Sequence, residues 1–458
     1  MDEGALLLSR LQFAFVVAFH FLLPAFTIGL ASYIAVLEGL YLATRRAVFL
    51  RVSTYWIKIF AVSFGMGVVS GIVMPFQFGT NWSRYSRMTA DVVAPLMAYE
   101  GLTAFFLEAG FLGVLLFGRK LVPQCAHFFA AIMAALGTLL STFWILVVNS
   151  WMQTPAGFSL QDGRFFPDDW LAVILNPSFP FRFAHTVTAV YLTTAFTVIG
   201  VAAYHLRNRR FVEESRVMMV MGISLATILV PLQALIGDAH GINTLEHQPI
   251  KLAAIEGIWE TQSGVPAVIF AIPDAKTESN RFEIAIPKLA SLYLTHDWNG
   301  EVKGLKSAPP ENRPPVLPVF FGFRVMIGMW AIMLLITVSS WFLLWKKRLY
   351  DTNWFLRGCS YAIPVGFIAV TAGWVTTEVG RQPWVVYNHL RTADAVTPNL
   401  ATHDVVVSLL LYVLVYAAVF GAGVYYLIKL VRAGPAAAAA PPEPELTRRP
   451  ARPLSAAD

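Results

Sequence analysis

The sequence is poor in charge and in cysteine, and both shortages limit what the chain can be. Asp, Glu, Lys and Arg make up 14% of the 458 residues, whereas hydrophobic residues make up 57%. Soluble domains carry about 25% charged residues, so this composition argues against a soluble globular fold. The two cysteines, Cys125 and Cys359, each begin a hydrophobic segment just after a basic loop. That position predicts reduced cytoplasmic thiols and argues against a disulfide or a cysteine metal site.

Three further features are missing. The chain begins Met1-Asp2-Glu3, which is acidic where a cleavable signal peptide is basic, so no such signal is expected. No internal repeat is visible, and an inverted-repeat transporter therefore gains no support. Lys and Arg outnumber Asp and Glu by 34 to 28, but no basic patch is interleaved with aromatic residues. Nucleic acid is therefore not an expected partner, and the basic excess is typical of positive cytoplasmic loops.

The sequence instead contains repeated apolar runs of about 20 residues, the length that crosses a bilayer. They predict an all-α integral membrane protein with about nine transmembrane helices, near residues 11–42, 55–76, 93–117, 124–149, 182–205, 217–236, 318–345, 358–379 and 405–431. Alternate connections between them are basic, at Arg45, Arg46, Arg51, Arg119, Lys120, Arg207, Arg209, Arg210, Lys346, Lys347 and Arg348. By the positive-inside rule these connections face the cytoplasm, which places the N-terminus outside and the C-terminus inside.

Two segments differ from the helices. Residues 237–317 form a long, charged outer connection that ends in two Pro-Pro pairs, and loops of this length are usually functional or disordered. Residues 434–458 are rich in Ala and Pro, which predicts a disordered cytoplasmic tail. The chain is thus divided into helices 1–6 within residues 1–236, the outer loop 237–317, helices 7–9 within 318–433, and the tail.

Ionisable residues inside membrane spans cost energy and usually face the bundle interior. The predicted spans contain His20, Lys58, Glu100, Glu108, His185 and Glu378. His20 is either a buried histidine bonded to a carbonyl or a ligand of haem iron. Glu378 stays charged if it binds a metal or pairs with Arg381.

A possible low-spin haem site combines the fifth and seventh helices. His185 and Met326 are expected at one depth near the outer surface, and a His/Met pair gives an electron-transferring haem with a raised potential. Taken alone, Met326 is a packing residue. Arg182 and Arg324 lie near these residues in the sequence and could pair with haem propionates.

A proton path is the second candidate feature. Glu100 and Glu108 are separated by roughly 12 Å of depth and about 80° of rotation, so they could be two stations of an inward route. Ser141 and Asn149 have the polarity to continue it. Lys58 either forms its mouth or extends its ammonium group to the membrane surface.

In the outer loop, Lys251 and Glu256 flank apolar residues. Such a pair is common in solvated loops, but the apolar residues favour a segment at the membrane surface, within reach of an amphipathic quinol.

At these residues the chain resembles subunit I of the cytochrome bd quinol oxidases. Six segments carry the resemblance, and they occur in order over most of the chain: 65–71, 77–82, 100–108, 149–157, 248–256 and 380–384. Pro75 departs from the family pattern, in which a carboxylate is expected before residues 76–77. The outer loop lacks the long insertion of one branch, so the chain is similar to the short-loop type, some of which resemble the cyanide-insensitive group.

The resemblance implies nine helices, an outer quinol loop and three haems: a low-spin haem b, a high-spin haem b and either haem d or a third haem b. It implies that His185 and Met326 bind the low-spin haem and that His20 and Glu378 are ligands at the oxygen site, with the haem d ligand left open. It also implies roles for Trp374, Arg324 and Arg381 beside haem and for Lys251 and Glu256 in quinol binding. Glu100 matches the residue beside the oxygen-site ligands His20 and Glu378, and Glu108 matches the acid of the proton path.

The expected function is therefore oxidation of ubiquinol or menaquinol at the outer face of a bacterial inner membrane. Oxygen would be reduced to water with cytoplasmic protons, which generates a proton motive force without pumping. A second subunit without haem is expected, and a small single-span subunit is a further candidate partner besides membrane lipid. Two alternatives remain: a haem-b electron carrier for another acceptor, which binds no carbon monoxide, and a colourless transporter built on the buried glutamates.

Overall fold

The computed structural model describes residues 3–435, and most of the predicted tail, residues 436–458, lies outside this part. Within it, nine helical segments are long and apolar enough to cross a membrane. We refer to them in chain order as the first to ninth spans: Glu3–Thr44, Ala47–Thr80, Ser83–Lys120, Gln124–Gln153, Trp170–Arg207, Val212–His247, Pro310–Trp345, Asn353–Val379 and Thr402–Ala433. The prediction of an all-α membrane protein is confirmed.

Some spans consist of more than one helix. The α-helices are α1 Glu3–Leu22, α2 Pro24–Thr44, α3 Ala47–Thr80, α4 Ser83–Tyr99, α5 Phe106–Phe117, α6 Gln124–Gln153, α7 Trp170–Ile174, α8 Phe179–Arg207, α9 Val212–His247, α10 Pro249–Glu256, α11 Leu289–Thr295, α12 Val316–Trp345, α13 Asn353–Tyr361, α14 Val365–Val379, α15 Thr392–Ala395 and α16 Thr402–Ala433. A π-helix, Glu100–Phe105, joins α4 to α5, and 3-10 turns occur at Gly118–Lys120, Leu305–Ser307 and Pro310–Asn312.

The described strands all lie on one side of the bundle, in the connections after the fourth, sixth and eighth spans. They are β1 Phe158–Gln161, β2 Arg164–Pro167, β3 Gln262–Ser263, β4 Ala267–Asp274, β5 Ser279–Ile286, β6 Glu301–Val302, β7 Trp384–Val386 and β8 Leu390–Arg391. They pair antiparallel as β1–β2, β3–β6, β4–β5 and β7–β8. We call this side the loop face, and the basic connections lie on the opposite face.

The sixth span is longer than the hydropathy of the sequence predicts. Helix α9 runs to His247, beyond the expected end at residue 236, so the connection to the seventh span starts at Gln248. Polar residues in this last part are held by neighbouring elements; Asn243, for example, donates to the Pro177 carbonyl at 3.0 Å. The connection itself is ordered and has its own apolar core, which includes Leu252, Ile258 and Leu294.

The fifth span is the centre of the bundle. In its most apolar 18-residue window 78% of the residues are buried, against 17% in the third, seventh and ninth spans. Its main helix, α8, therefore carries side chains into the protein interior, whereas the three peripheral spans expose broad apolar surfaces. Polar residues on α8 are enclosed by other helices, and Arg182 is 4% exposed.

Candidate functional site

A buried group of polar side chains lies where the fourth, fifth and eighth spans meet α10 at the loop face. Its carboxylate is Glu378, at the end of α14. Asn149 donates to Glu378 Oε1 at 2.8 Å, and Arg381 Nη2 donates to Glu378 Oε2 at 2.5 Å. We call this group, Asn149, Gln153, Arg182, Gln248, Lys251, Glu378 and Arg381, the Glu378 cluster.

Lysine 251 belongs to this cluster rather than to the protein surface, and it is 3% exposed. Its Nζ donates to Gln153 Oε1 at 2.8 Å and to Gln248 Oε1 at 3.2 Å. Arg182 Nη2 reaches the same Gln248 oxygen at 3.5 Å. Burial lowers the pKa of Lys251 well below its ordinary value, and the charge of Arg182 acts in the same direction. The expectation that residues 248–256 lie at the surface does not describe this side chain.

The Glu378 cluster contains more positive charge and more donors than its own acceptors satisfy. Three cations, Arg182, Lys251 and Arg381, surround one carboxylate. Arg381 Nε and Nη1 are buried without a hydrogen-bond partner, and Lys251 has used two of its three donors. Buried unpaired donors of this kind are costly, and arginine and lysine bind carboxylates strongly. The cluster therefore fits the carboxylate groups of a bound anionic ligand, such as haem propionates.

The predicted haem ligands His185 and Met326 each face a glycine on a neighbouring helix. His185 Nδ1 is buried and unpartnered, while its Nε2 lies 3.1 Å from Gln233 Nε2. A Cβ on Gly237 would lie 3.6 Å from the His185 ring, and one on Gly373 would lie 2.9 Å from Met326 Sδ. Met326 Sδ therefore occupies the space that a side chain at position 373 would need, so α12 and α14 pack closely there, whereas position 237 is at ordinary contact distance from His185.

The first span presents His20 with one ring nitrogen already bonded. Ser70 Oγ lies 3.0 Å from His20 Nδ1 and 2.9 Å from the Gly67 carbonyl. When the hydroxyl donates to that carbonyl, its oxygen accepts the Nδ1–H of His20, and Nε2 is then unprotonated, which is the form that binds a metal. The ring of Phe21, the next residue, lies 5.4 Å from that of Trp374, so the first and eighth spans meet at this level.

The two glutamates of the expected proton path have different environments. Ser141 donates to Glu100 Oε1 at 2.7 Å, and Glu100 begins the π-helix, an irregularity that often marks functional sites. Glu108 is 9% exposed and has no hydrogen bond or ion pair with any residue among 3–435. It packs on Gly137, where an added Cβ would come within 2.7 Å of its Cγ.

The remaining members of the expected path do not form one chain with these glutamates. Asn149 lies on α6 with Ser141 but bonds Glu378, so α6 contributes Ser141 to Glu100 and both Asn149 and Gln153 to the Glu378 cluster. Lys58 is exposed and makes no hydrogen bond or ion pair within the described residues, as expected for a lysine that reaches the membrane surface.

Glutamate 256 faces away from the Glu378 cluster. It is 3% exposed, and Arg324 Nη2 lies 4.0 Å from its Oε2. Burial raises the pKa of Glu256, although Arg324 and a hydrogen bond from Tyr293 oppose this. Arg324 also donates to the carbonyls of Ile255 at 2.7 Å and Val268 at 2.5 Å. These donors tie α12 to the loop, and α10 separates Glu256 from Lys251.

Comparison with known proteins adds the family. The model of the family described as cytochrome bd terminal oxidase subunit I matches residues 8–435. The chain belongs to this family. It is 36% identical over 444 residues to cytochrome bd ubiquinol oxidase subunit 1 of Bacillus subtilis (strain 168), with 94% of each chain covered. It is 30% identical to cytochrome bd-II ubiquinol oxidase subunit 1 of Escherichia coli (strain K12), covering 94% of this chain and 97% of that one.

The fold agrees with this assignment. The bd oxidase structure from Geobacillus thermodenitrificans superposes with a TM-score of 0.88 at 28% identity, covering 94% of this chain and 99% of that chain. A cytochrome bd subunit I is a haem protein of the bacterial inner membrane that works with a subunit II. Within residues 3–435 no three His, Cys, Asp or Glu side chains form a metal site. This is compatible with haem, which needs only one or two axial ligands from the protein.

Sequence reasoning missed several polar residues of this cytochrome bd subunit. Gln153 and Gln248 link the Glu378 cluster, and both lie inside segments that carry the family resemblance. His240 lies with its ring centroid 5.5 Å from that of His185. Glu38, fully buried at 0% exposure, lies within the predicted first span, so its charge was a signal that could have been used.

Proposed function

We propose that this chain is the haem-bearing subunit of a quinol oxidase that oxidises quinol at the loop face and reduces oxygen to water with protons from the opposite face. The observation that carries the proposal is the Glu378 cluster, a buried excess of cationic donors among the candidate haem ligands. The family places such chains in terminal oxidases, and the curated relatives are named as ubiquinol oxidases.

Haem iron, when bound, supplies the one-electron and oxygen chemistry that the side chains themselves lack. In our proposal His185 and Met326 bind the low-spin haem b, and His20 and Glu378 bind the two haems at the oxygen site, one of them haem d or a third haem b. Asn149 and Arg381 hold the two carboxylate oxygens of Glu378 in place. Arg182 and Arg381 bind haem carboxylates, and Trp374, whose ring lies beside Phe21 of the first span, is a haem neighbour. Arg324 has backbone partners and stabilises the loop.

Quinol oxidation must dispose of protons at the loop face. Glu256 is suited to accept a quinol proton, because it is a buried carboxylate beside Arg324 whose pKa burial raises. The free donor of Lys251 is suited to a quinol oxygen. Because these residues lie on different sides of α10, we assign the quinol head to the region between α10 and α12, with Lys251 as its inner boundary. The family and the relatives leave ubiquinol and menaquinol as candidates.

Protons for water formation enter from the opposite face in this proposal. Glu108 takes up a proton within the bilayer and passes it to Glu100, which Ser141 orients through its hydrogen bond. Lys58 lies outside this route. If the loop face is the outer face, proton release there and uptake opposite charge the membrane without pumping. A small single-span subunit would be an additional partner besides subunit II.

The test uses the complete complex purified in mild detergent. We expect His185→Ala to lose one low-spin haem b, measured by pyridine haemochrome quantification and the reduced-minus-oxidised spectrum. His403→Ala is the control, because the His403 side chain is 82% exposed, and it should keep every haem. A full low-spin spectrum in His185→Ala would contradict the ligand assignment.

Carbon monoxide separates an oxidase from an electron carrier. We expect the reduced wild-type complex to bind carbon monoxide, because an oxygen site needs an iron with an open position. A haem-containing complex that binds none would support the carrier, with Glu378 in a structural role. A red-shifted chlorin band would identify haem d, and its absence would assign a third haem b.

A further inference from the structure

The β4–β5 hairpin of the long connection has one packed face and one free apolar face. The packed face places Val268 and Ala271 against Phe320 of α12. The other face carries Phe270 and Ile272 of β4 and Ile284 and Ile286 of β5, and Phe270 pairs with Ile284 in the register. Each of these four side chains is at least 40% exposed. Ile269 and Phe282, at irregular positions of the two strands, are also exposed. Single exposed apolar residues are ordinary, but a contiguous group of this size marks an interaction surface.

The depth at which the hairpin lies along α12 indicates what its exposed face contacts. It packs on Phe320 and Phe321, within two turns of the start of α12 at Val316. This is where the seventh span enters the membrane from the loop face. Leu317, on the first turn of α12, is 47% exposed, and Val325 two turns further is 41% exposed. The free face of the hairpin thus lies at the level where the lipid-facing surface of α12 begins.

The unpaired backbone groups of the β4–β5 hairpin limit how deeply it can enter the bilayer. A two-stranded sheet leaves one unpaired edge on each strand, and open edges are not tolerated in the hydrocarbon core. They are tolerated at the interface, where water and headgroups bond the free amides. The hairpin turn is polar, with Asp274 paired to Arg281 and Glu278 to Arg313. The turn suits water and headgroups, and the middle of the hairpin suits acyl chains.

We infer that the free face of the β4–β5 hairpin lies in the interfacial layer of the bilayer and anchors the long connection to the lipid surface. The inference is independent of the proposed quinol chemistry, since it rests only on the apolar face and its level relative to α12. An anchored hairpin fixes the position of the loop relative to α12, because Arg324 of α12 bonds the Val268 carbonyl of β4.

The test is site-directed spin labelling of the complete complex in lipid nanodiscs of phosphatidylethanolamine and phosphatidylglycerol. A Cys125→Ser background removes the exposed native thiol, and Cys359 is buried. The label is attached at Ile284→Cys, with Leu335→Cys on α12 as the lipid control, because Leu335 is 67% exposed within the seventh span. Lys276→Cys, in the hairpin turn, is the water control. The haem spectrum of each labelled complex checks its folding.

We expect the Ile284 label to fall between the two controls, with more relaxation by oxygen and less nickel-chelate relaxation than at Lys276, and with more nickel-chelate relaxation than at Leu335. Nickel relaxation equal to that at Lys276 would place the face in water and overturn the inference. Weak relaxation by both reagents would show that protein, such as subunit II, covers the face, and would also overturn it. Ile286→Cys, two residues from Ile284 on the same face of β5, must give the same result as Ile284→Cys.

Discussion

Two buried polar clusters lie at opposite ends of this bundle, and they differ in how completely their charges are matched. At the basic face, Glu38 accepts from the guanidinium of Arg119, with one N–O distance of 3.1 Å, from Gln124 at 2.8 Å and from Ser53. His127 Nδ1 lies 3.1 Å from the same carboxylate. None of these five side chains has a buried polar atom without a partner. We call this group the Glu38 cluster.

The Glu378 cluster, at the loop face, contains buried donors that have no acceptor. One carboxylate meets three cations, and two nitrogens of Arg381 are buried without partners. Native proteins pair nearly all of their buried polar atoms, so an exception needs an explanation. A saturated cluster serves the fold itself, whereas a cluster with unpaired buried donors is suited to bind an anionic ligand. The comparison therefore predicts different consequences when a charge is removed from each cluster.

The largest expected effect is on stability, at the saturated cluster. Glu38→Ala leaves Arg119 and His127 without their common acceptor. Removing one partner of a buried ion pair typically costs about 3–5 kcal/mol, and we expect a loss of this size. Denaturant unfolding of the detergent-solubilised complex measures it, and the haem content of the folded fraction should not change.

Glu213→Ala is the matched control, because Glu213 also pairs with an arginine, Arg51, but its side chain is 61% exposed. An exposed pair contributes at most about 1 kcal/mol. If Glu38→Ala were as stable as this control, or if it lost haem while remaining folded, the Glu38 cluster would not be purely structural.

The architecture was predictable because the bilayer imposes simple length and polarity rules. Apolar runs predicted the number of spans found among the described residues, and the sidedness that the alternating basic connections indicate stays a prediction. The length of α9 was not predictable from hydropathy, because its last turns contain Asp238, His240 and Asn243. Tertiary partners such as the Pro177 carbonyl stabilise them, and these partners are distant in the sequence. The ordered strands of the long connection depend on such contacts as well.

The candidate site was predictable where a charge stood alone in a span, as at Glu108 and Glu378. It was not predictable where neutral amides do the linking, as Gln153 and Gln248 do, because single amides carry no distinctive pattern. Arg324 shows that nearness in the sequence does not reveal which groups a side chain bonds in the folded protein. Its position near Met326 suggested a haem partner, but the guanidinium bonds the Ile255 and Val268 carbonyls, and only the folded loop brings those carbonyls to it.

Glu108 can be compared directly with Glu38, because it is nearly as buried as Glu38 but has no bonded partner. We expect Glu108→Gln to remain as stable as the wild type, since no hydrogen bond is lost. Its oxygen consumption with excess quinol should fall about a hundredfold, the lower range for the loss of a proton-transferring group. Glu246→Gln is the control, because the Glu246 side chain is 74% exposed.

Two results would contradict this role of Glu108. Full turnover in Glu108→Gln would remove it from the proton route. An equal fall in oxygen consumption together with a loss of haem would show that it supports the cofactor site instead, and the haem spectrum separates these cases.

The smallest expected effect distinguishes two uses of the free donors in the Glu378 cluster. Lys251→Met removes one of three cations, and the remaining amides stay bonded, since Gln248 Nε2 donates to Gln153 Oε1 at 3.1 Å. We therefore expect a stability change below about 1 kcal/mol, because burial already disfavours the charged form of Lys251 and methionine fills a similar volume with an apolar side chain. The KM for quinol should rise about tenfold, which corresponds to about 1.4 kcal/mol, with kcat little changed. Lys276→Met, in the exposed hairpin turn, should change neither quantity.

Steady-state oxygen consumption and haem quantification on the same preparations decide the role of Lys251. A raised KM with full haem content assigns its free donor to quinol, whereas a lower haem content with an unchanged KM assigns it to a haem carboxylate. If neither the KM nor the haem content changes, the free donor of Lys251 binds neither quinol nor a haem carboxylate. The difference between the Glu378 and Glu38 clusters would then have no functional consequence.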